Sequence, residues 1–320
     1  MIQMTEYELK KSFTFYVKNA ILKEFFGIAE SISSDGNLLF ERDTVSIVEL
    51  NSNNTSAIQL RLDLSENLKN DVYFKNKKRY FIDFNEVNKV LEAFKGDDFD
   101  FFKCSIDESK QIFIIESTSC EDGNIRRGFV PIYDGKSRRK VLDELDTKVK
   151  KYLNKHTFMQ IRVNCGELYS AIKTISNLHY NAYNEGVAIM GSNDGLIISS
   201  TIPEESLNEG SQFKVPYFST LIRFDADYLN ETTFVGIDPD IQFAGTLFCH
   251  NYLEDFLKKL PPNFEVQVSV GNNYVGMFES NVRNLHILYL VAPFCSKMAC
   301  DIIDDAYAKS KMFIGKKELR

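Results

Sequence analysis

Four segments of the chain read as amphipathic helices, and each carries a lysine on its polar side. In residues 19–32, Ile21, Leu22, Phe25 and Phe26 share a face and Lys23 points away. In 87–95, Val87, Val90, Leu91 and Phe94 oppose Lys89 and Glu92. In 166–178, Leu168, Ala171, Ile172 and Ile175 oppose Lys173 and Asn177. In 251–260, Tyr252, Leu253, Phe256 and Leu260 oppose Lys258, with Lys259 following. Lys18 precedes the first run and Lys95 ends the second. Ammonium groups spaced along repeated helices suit phosphate oxygens, and such contacts read no base sequence. A solvated helix face also carries lysines as a matter of course, and Glu24, Glu92, Glu254 and Asp255 lie on the same runs.

Other chemistries find less support. Glu116, Asp122, Asp238 and Asp240 are the acids one would gather into a carboxylate site. They lack helical register, and no phosphate-binding glycine loop, nucleophile elbow or H-E-x-x-H accompanies them. Solvated acids account for them better, so no catalytic residue is assigned and the chain is read as a non-enzyme. The six cysteines (104, 120, 165, 249, 295, 300) contain no C-x-x-C, and His156, His179, His250 and His286 are scattered, so neither a metal nor a cofactor is expected. Scattered cysteines without a secretory signal fit a reducing compartment, cytoplasmic or nuclear. The N-x-T sequons at Asn53 and Asn230 have no meaning without export.

The chain has 320 residues, 44% hydrophobic and 26% charged, with 38 basic against 45 acidic side chains and a formal charge of −7. That is globular material, enough for one large domain or two ordinary ones. The longest apolar stretch, Ile287 to Phe294, is far short of the roughly 18 residues a membrane helix needs. The acidic balance by itself argues against a nucleic-acid surface.

The elements that carry the four lysines come in two similar sets. The first opens with alternation in Phe13–Val17 and the run from Asn19, then Ser33-Ser34-Asp35-Gly36 and Leu38-Leu39-Phe40. The second opens with Phe158–Val163 and the run from Gly166, then Gly186–Met190, Ser192-Asn193-Asp194-Gly195 and Leu196-Ile197-Ile198. Asp-Gly between apolar runs predicts a tight hairpin in both sets. Each set continues with a second helix and further strands: Phe99–Phe102 and Gln111–Ser117 in one, Phe264–Val268 and Tyr274–Ser280 in the other. Asn85 and Asn251 read as N-caps and Gly96 as a C′ residue. The pattern is α+β with antiparallel sheet, present twice.

The expected organisation is a first domain over residues 1–135, a connector at 136–157, a second domain at 158–296 and a tail at 297–320. Lys136 to Lys155 carries eight basic and three acidic residues, with Val141, Leu142, Leu145, Val149 and Leu153 at helix-like spacing. Without that segment the remainder is −12.

In this order and spacing the chain resembles the DNA sliding clamps that include proliferating cell nuclear antigen. The residues that carry the resemblance are Ser34-Asp35-Gly36 followed by Thr44–Leu50, then Leu288-Tyr289-Leu290-Val291-Ala292-Pro293, and the paired layout itself. The resemblance implies a clamp fold with sheets outside and two helices per domain inside. It also implies a head-to-tail homotrimeric ring around duplex DNA, which tethers DNA polymerase and is placed by a clamp loader. The DNA-binding set would be Lys18, Lys23, Lys89, Lys95, Lys173, Lys258 and Lys259. Subunits would meet through Lys110, Ile112 and Ile114 on one strand and Phe213 and Val215 on another. Short peptides of the kind clamps capture (PIP boxes) would dock against Val45, Ile47, Val141, Leu145, Tyr274, Leu290, Ala292 and Pro293. An acidic outer wall with a modest basic lining would reconcile the net charge with a threaded duplex. The 27 lysines against 11 arginines point to an AT-rich genome, and the divergence to a virus or phage. Two further readings are a checkpoint-like or transcription-coupling clamp, and a non-catalytic scaffold of the same fold.

Overall fold

The computed structural model describes residues 12–53, 55–65, 74–94, 101–118, 125–134, 159–177, 186–192, 195–199, 221–225, 234–236, 243–271 and 275–293. The first repeat runs β1 (Ser12–Lys18), α1 (Asn19–Glu30), β2 (Asp35–Arg42), β3 (Thr44–Leu50), β4 (Ser56–Asp63), β5 (Phe74–Asp83), α2 (Phe84–Ala93), β6 (Phe101–Asp107), β7 (Ile112–Thr118) and β8 (Ile125–Asp134). The second runs β9 (Met159–Asn164), α3 (Cys165–Asn177), β10 (Gly186–Ser192), β11 (Gly195–Ser199), β12 (Leu221–Asp225), β13 (Phe234–Gly236), β14 (Phe243–Cys249), α4 (His250–Leu257), β15 (Glu265–Val270), β16 (Gly276–Val282) and β17 (Leu285–Val291). Element for element the order is the same, with β13 inserted in the second copy. The chain divides into two compact units: Met1–Leu145 with Asn281–Leu288, and Asp146–Ser280 with Tyr289–Arg320.

In the first unit the strands lie in the order β1-β6-β7-β8-β5-β2-β3-β4. Alternation selects the buried face: Leu38, Phe40, Val45, Ile47, Leu60 and Leu62 are all 2% exposed or less. α1 buries Ile21, Leu22, Phe25, Phe26, Ile28 and Ala29, and α2 buries Phe84, Val87 and Leu91. Phenylalanines knit helices to strands: Phe26 lies 6.2 Å from both Phe84 and Phe113, and Phe15 lies 5.8 Å from Phe40. Asn88 joins the helices, donating to the Phe26 carbonyl (3.3 Å) and to Glu30 Oε2 (2.8 Å).

Three local expectations are corrected. The cap of α2 is Asp83, whose carboxylate accepts from the N–H groups of Asn85 (2.8 Å) and Glu86 (3.2 Å), so Asn85 lies inside the helix. Asn251 is likewise inside α4, which starts after Cys249 without a side-chain cap; Gly96 falls outside the described residues. Asp35-Gly36 is not a hairpin. It opens β2, paired with Asp83 and Ile82 of β5. A Cβ on Gly36 would stand 2.6 Å from Glu49, so glycine admits the Glu49 side chain there. That carboxylate accepts from the Asn37 N–H at 2.7 Å. The β2–β3 turn instead falls at Arg42-Asp43, with Arg42 at φ 55. In the second copy Gly195, at φ 135, does open β11 after the β10–β11 connection.

In the second unit two sheets carry the fold, β12-β11-β10-β14 and β16-β15-β9-β13. Asn164 Oδ1 accepts from the N–H groups of Gly166 (2.9 Å) and Glu167 (3.3 Å) and so starts α3. α3 and α4 pack together, with Cys165 Sγ 3.6 Å from the Leu257 carbonyl. Burial pushes the Cys165 thiol up to about 12, the behaviour of an inert core thiol.

Candidate nucleic-acid interface and sheet edges

The helices bring the lysines to the faces the periodicity foresees, with differences in detail. Lys89 and Lys173 are exposed on α2 and α3, and Lys23 is half-buried on α1. Lys18 is exposed at the N-cap of α1. Lys258 is the C-cap of α4 and Lys259 follows it, both exposed, so neither sits in the middle of a helix. Lys95 lies outside the described residues. Two of these ammonium groups already have partners. Lys89 Nζ bonds Glu86 Oε1 at 2.7 Å, and that hydrogen bond raises its pKa. Lys173 Nζ sits 5.5 Å from the centre of the Tyr169 ring. The four helices carry three lysines (23, 89, 173) against seven carboxylates (24, 30, 86, 92, 167, 254, 255). Any basic character on these helices is local.

Part of the expected peptide wall lies within the described residues, and there it is mostly buried. Val45 and Ile47 are core residues, 2% and 0% exposed, because β3 turns them to the same face as Phe40 and Leu38. Leu290 is nearly buried, whereas Ala292 and Pro293 are half-exposed. Val141, Leu145 and Tyr274 fall outside the described residues.

The strand expected at the subunit contact is not a sheet edge among the described residues. β7, with Lys110 just before it and Ile112 and Ile114 within it, has both backbone edges taken: Ile112–Glu116 pair with β6 and Ile112–Thr118 with β8. Among the described residues β8 is paired on one side over most of its length: residues 125–131 pair with β7, and 132–134 also with β5. Its outward side chains form a stripe in which Ile125, Phe129 and Tyr133 are 55–59% exposed. Pro131 is the signal that would have revealed this, since a residue without an N–H is confined to sheet margins. In the four-stranded sheet of the second unit β12 is an edge among the described residues, paired only with β11. Phe213 and Val215 are outside the described residues.

Glu116 is held between two cations. It stands in register between Lys103 of β6 and Arg127 of β8, 3.3 Å from the Lys103 amine and 2.6 Å from Arg127 Nε. Burial pulls its pKa up, but the Arg127 and Lys103 hydrogen bonds outweigh that and hold the carboxyl below its ordinary range. Asp122, Asp238 and Asp240 lie outside the described residues. Among the described residues no group of three His, Cys, Asp or Glu is placed to hold a metal, and no helix is long and apolar enough to cross a membrane.

No family model and no curated protein matches the sequence. Solved structures do match the fold. The PCNA of Thermococcus kodakaraensis superposes with a TM-score of 0.64 at 13% identity, over 88% of this chain and 99% of that one. A. fulgidus PCNA, solved with the C-terminal region of FEN-1, gives 0.65 at 12% over 89% and 99%. PCNA from Entamoeba histolytica gives 0.65 at 11% over 89% and 98%. A PCNA2–PCNA3 complex from Sulfolobus tokodaii gives 0.65 at 11% over 88% and 99%. The chain therefore has a sliding-clamp-like fold over most of its length.

Proposed function

We propose that the chain is the subunit of a DNA sliding clamp, a non-catalytic processivity factor that encircles duplex DNA and tethers polymerase and other replication or repair proteins. The observation that carries this reading is the duplication itself, in which the described residues leave part of β8 in the first repeat and β12 in the second paired on one side. Edges of that kind favour strand addition, and a head-to-tail contact between different edges closes into a ring when its rotation allows. With two clamp domains per chain, three copies complete a six-domain ring. The similar structures support the reading: one binds a FEN-1 segment and another is a complex of two PCNA chains. By the same analogy the partners are polymerase, a clamp loader and short peptides, and the site of action is the replication site.

One observation favours a second reading, a scaffold of the same fold that binds no DNA: carboxylates outnumber lysines on the helices. Protein retained on circular DNA and lost when that DNA is linearised supports the clamp. Reversing Lys23, Lys89, Lys173 and Lys258 to Glu should then speed escape by about tenfold at low salt, since each phosphate contact adds to retention. Equal retention by wild-type and reversed protein would assign the helices to a surface that does not face DNA.

A further inference from the structure

The lysines of the four helices differ in what stands one turn away. On a helix, side chains three and four positions apart are neighbours, and adjacent ones are not. On α2, Lys89 stands between Glu86 and Glu92, three residues to either side, and all three are exposed. Its Nζ reaches Glu86 Oε1 at 2.7 Å, and the Asp83 carboxylate adds to the negative field around it. On α4, Lys258 follows Glu254 by four residues and Asp255 by three, and Lys259 follows Asp255 by four. The Lys258 N–H donates to the Glu254 carbonyl at 2.9 Å, so the helical spacing reaches it.

The other two helices are built differently. Lys23 of α1 has Asn19, Ala20, Phe26 and Gly27 at those positions, and Lys173 of α3 has Tyr169, Ser170, Ser176 and Asn177. None of these is acidic. Glu24 is adjacent to Lys23 rather than a turn away, is half-buried, and feels the Arg283 charge. Glu30 is two turns further on and accepts from Asn88 Nδ2. The Tyr169 ring, 5.5 Å from Lys173 Nζ, attracts the ammonium without bringing an opposing charge. α1 and α3 directly follow β1 and β9, the opening strands of their repeats, while α2 and α4 follow β5 and β14. The division therefore runs by position in the repeat: the lysine of the first helix has neutral neighbours, and those of the second have acids.

We propose that the first helix of each repeat, through Lys23 and Lys173, makes the main phosphate contacts, and that the acids of the second helix, Glu86 foremost, compete with the duplex for the lysines beside them. The inference rests on the clamp reading and says which half of the helices holds the DNA. A phosphate that approaches Lys89 must displace a carboxylate already bonded to it, and it meets Glu92 one turn further on. A phosphate that approaches Lys173 meets no carboxylate one turn away, and the exposed Ser170 and Asn177 offer it hydrogen bonds. An exposed pair such as Lys89–Glu86 is weak and screened by salt, so the competition loosens contact without forbidding it. Fewer phosphates neutralised means weaker, more mobile attachment, which suits a ring that moves along the duplex.

Escape of the full chain from circular duplex DNA at low salt tests the proposal. Lys23→Gln/Lys173→Gln should speed escape about threefold, and Lys89→Gln/Lys258→Gln by less than about 1.5-fold, because a lysine adds to retention only by the net charge it brings to a phosphate. Glu86→Gln should slow escape about twofold, and adding Lys89→Gln should abolish that gain. Glutamine keeps the shape of both residue types, and a gain in retention cannot come from misfolding. Equal or reversed losses for the two lysine pairs, or an effect of Glu86→Gln that is absent or that persists without Lys89, overturns the inference and leaves the clamp intact. Wild-type protein that escapes circular and linear DNA alike overturns the clamp reading and this inference with it.

Discussion

The two units fasten their second helix to the closing strand by opposite means. In the first, α2 is capped by Asp83, clipped to α1 by Asn88, and pressed against β8 where Gly128 leaves room for Val90. In the second, α4 begins without a side-chain cap, and β17 sends Tyr289 into the core. The Tyr289 ring stacks on Phe256 at 4.2 Å and its hydroxyl donates to the Tyr252 carbonyl at 2.9 Å. One topology is thus held by polar bonds and close backbone approach in one copy, and by an aromatic stack in the other. A fold specified by element order and apolar pattern tolerates such exchange. The same tolerance is visible at 11–13% identity to the clamp structures it superposes on.

If that contrast is right, the two copies should fail differently. The largest effect is expected at Tyr289. Tyr289→Ala removes the stack and leaves a cavity, costing about 3–5 kcal/mol in denaturant unfolding, whereas Tyr289→Phe forfeits only the hydrogen bond, about 1 kcal/mol. Next is Gly128→Ala, whose new Cβ would meet Val90 Cγ1 at 2.1 Å. Overpacking of that kind costs about 1–3 kcal/mol, and Val90→Ala in the same chain should restore much of it; no recovery would show that the approach of α2 to β8 is not what excludes the side chain. Asp83→Ala should cost about 1 kcal/mol by loss of the α2 cap, read from the same unfolding curves. The smallest effect is at Glu116. Its folded pKa lies below the ordinary 4.5, so its stabilisation is present above that value and lost as pH falls through the lower folded value. The stability difference between wild type and Glu116→Gln should therefore be present at neutral pH and vanish in strong acid; a difference that grows on acidification would contradict the ion triad.

The four helices and most strands were legible because their apolar spacing is strong. The helices begin or end within about three residues of the expected positions. Features set by partners distant in sequence were not legible. Asp35-Gly36 has the letters of a turn, yet Gly36 answers to Glu49 on the facing strand. Asn85 is an ordinary cap residue, but Asp83 begins the helix two positions earlier. Val45 and Ile47 alternate like any half-buried strand, and only the placement of Phe40 and Leu38 beside them shows that their face is core. A sheet edge was sought on β7, whose clean apolar run is the mark of an interior strand; Pro131 already pointed to β8 as the more marginal strand. The lysines of α1, α2 and α3 were legible as positions, but the bond from Lys89 to Glu86 and the excess of carboxylates reduce what they offer to phosphate.

Electron micrographs of the full chain at micromolar concentration, with mass measured on the same sample, test the central claim most directly. Closed rings with a central opening and a mass of three 36.8 kDa subunits are expected. Solid particles without an opening, or 36.8 kDa monomers that persist at every concentration and salt, would contradict it.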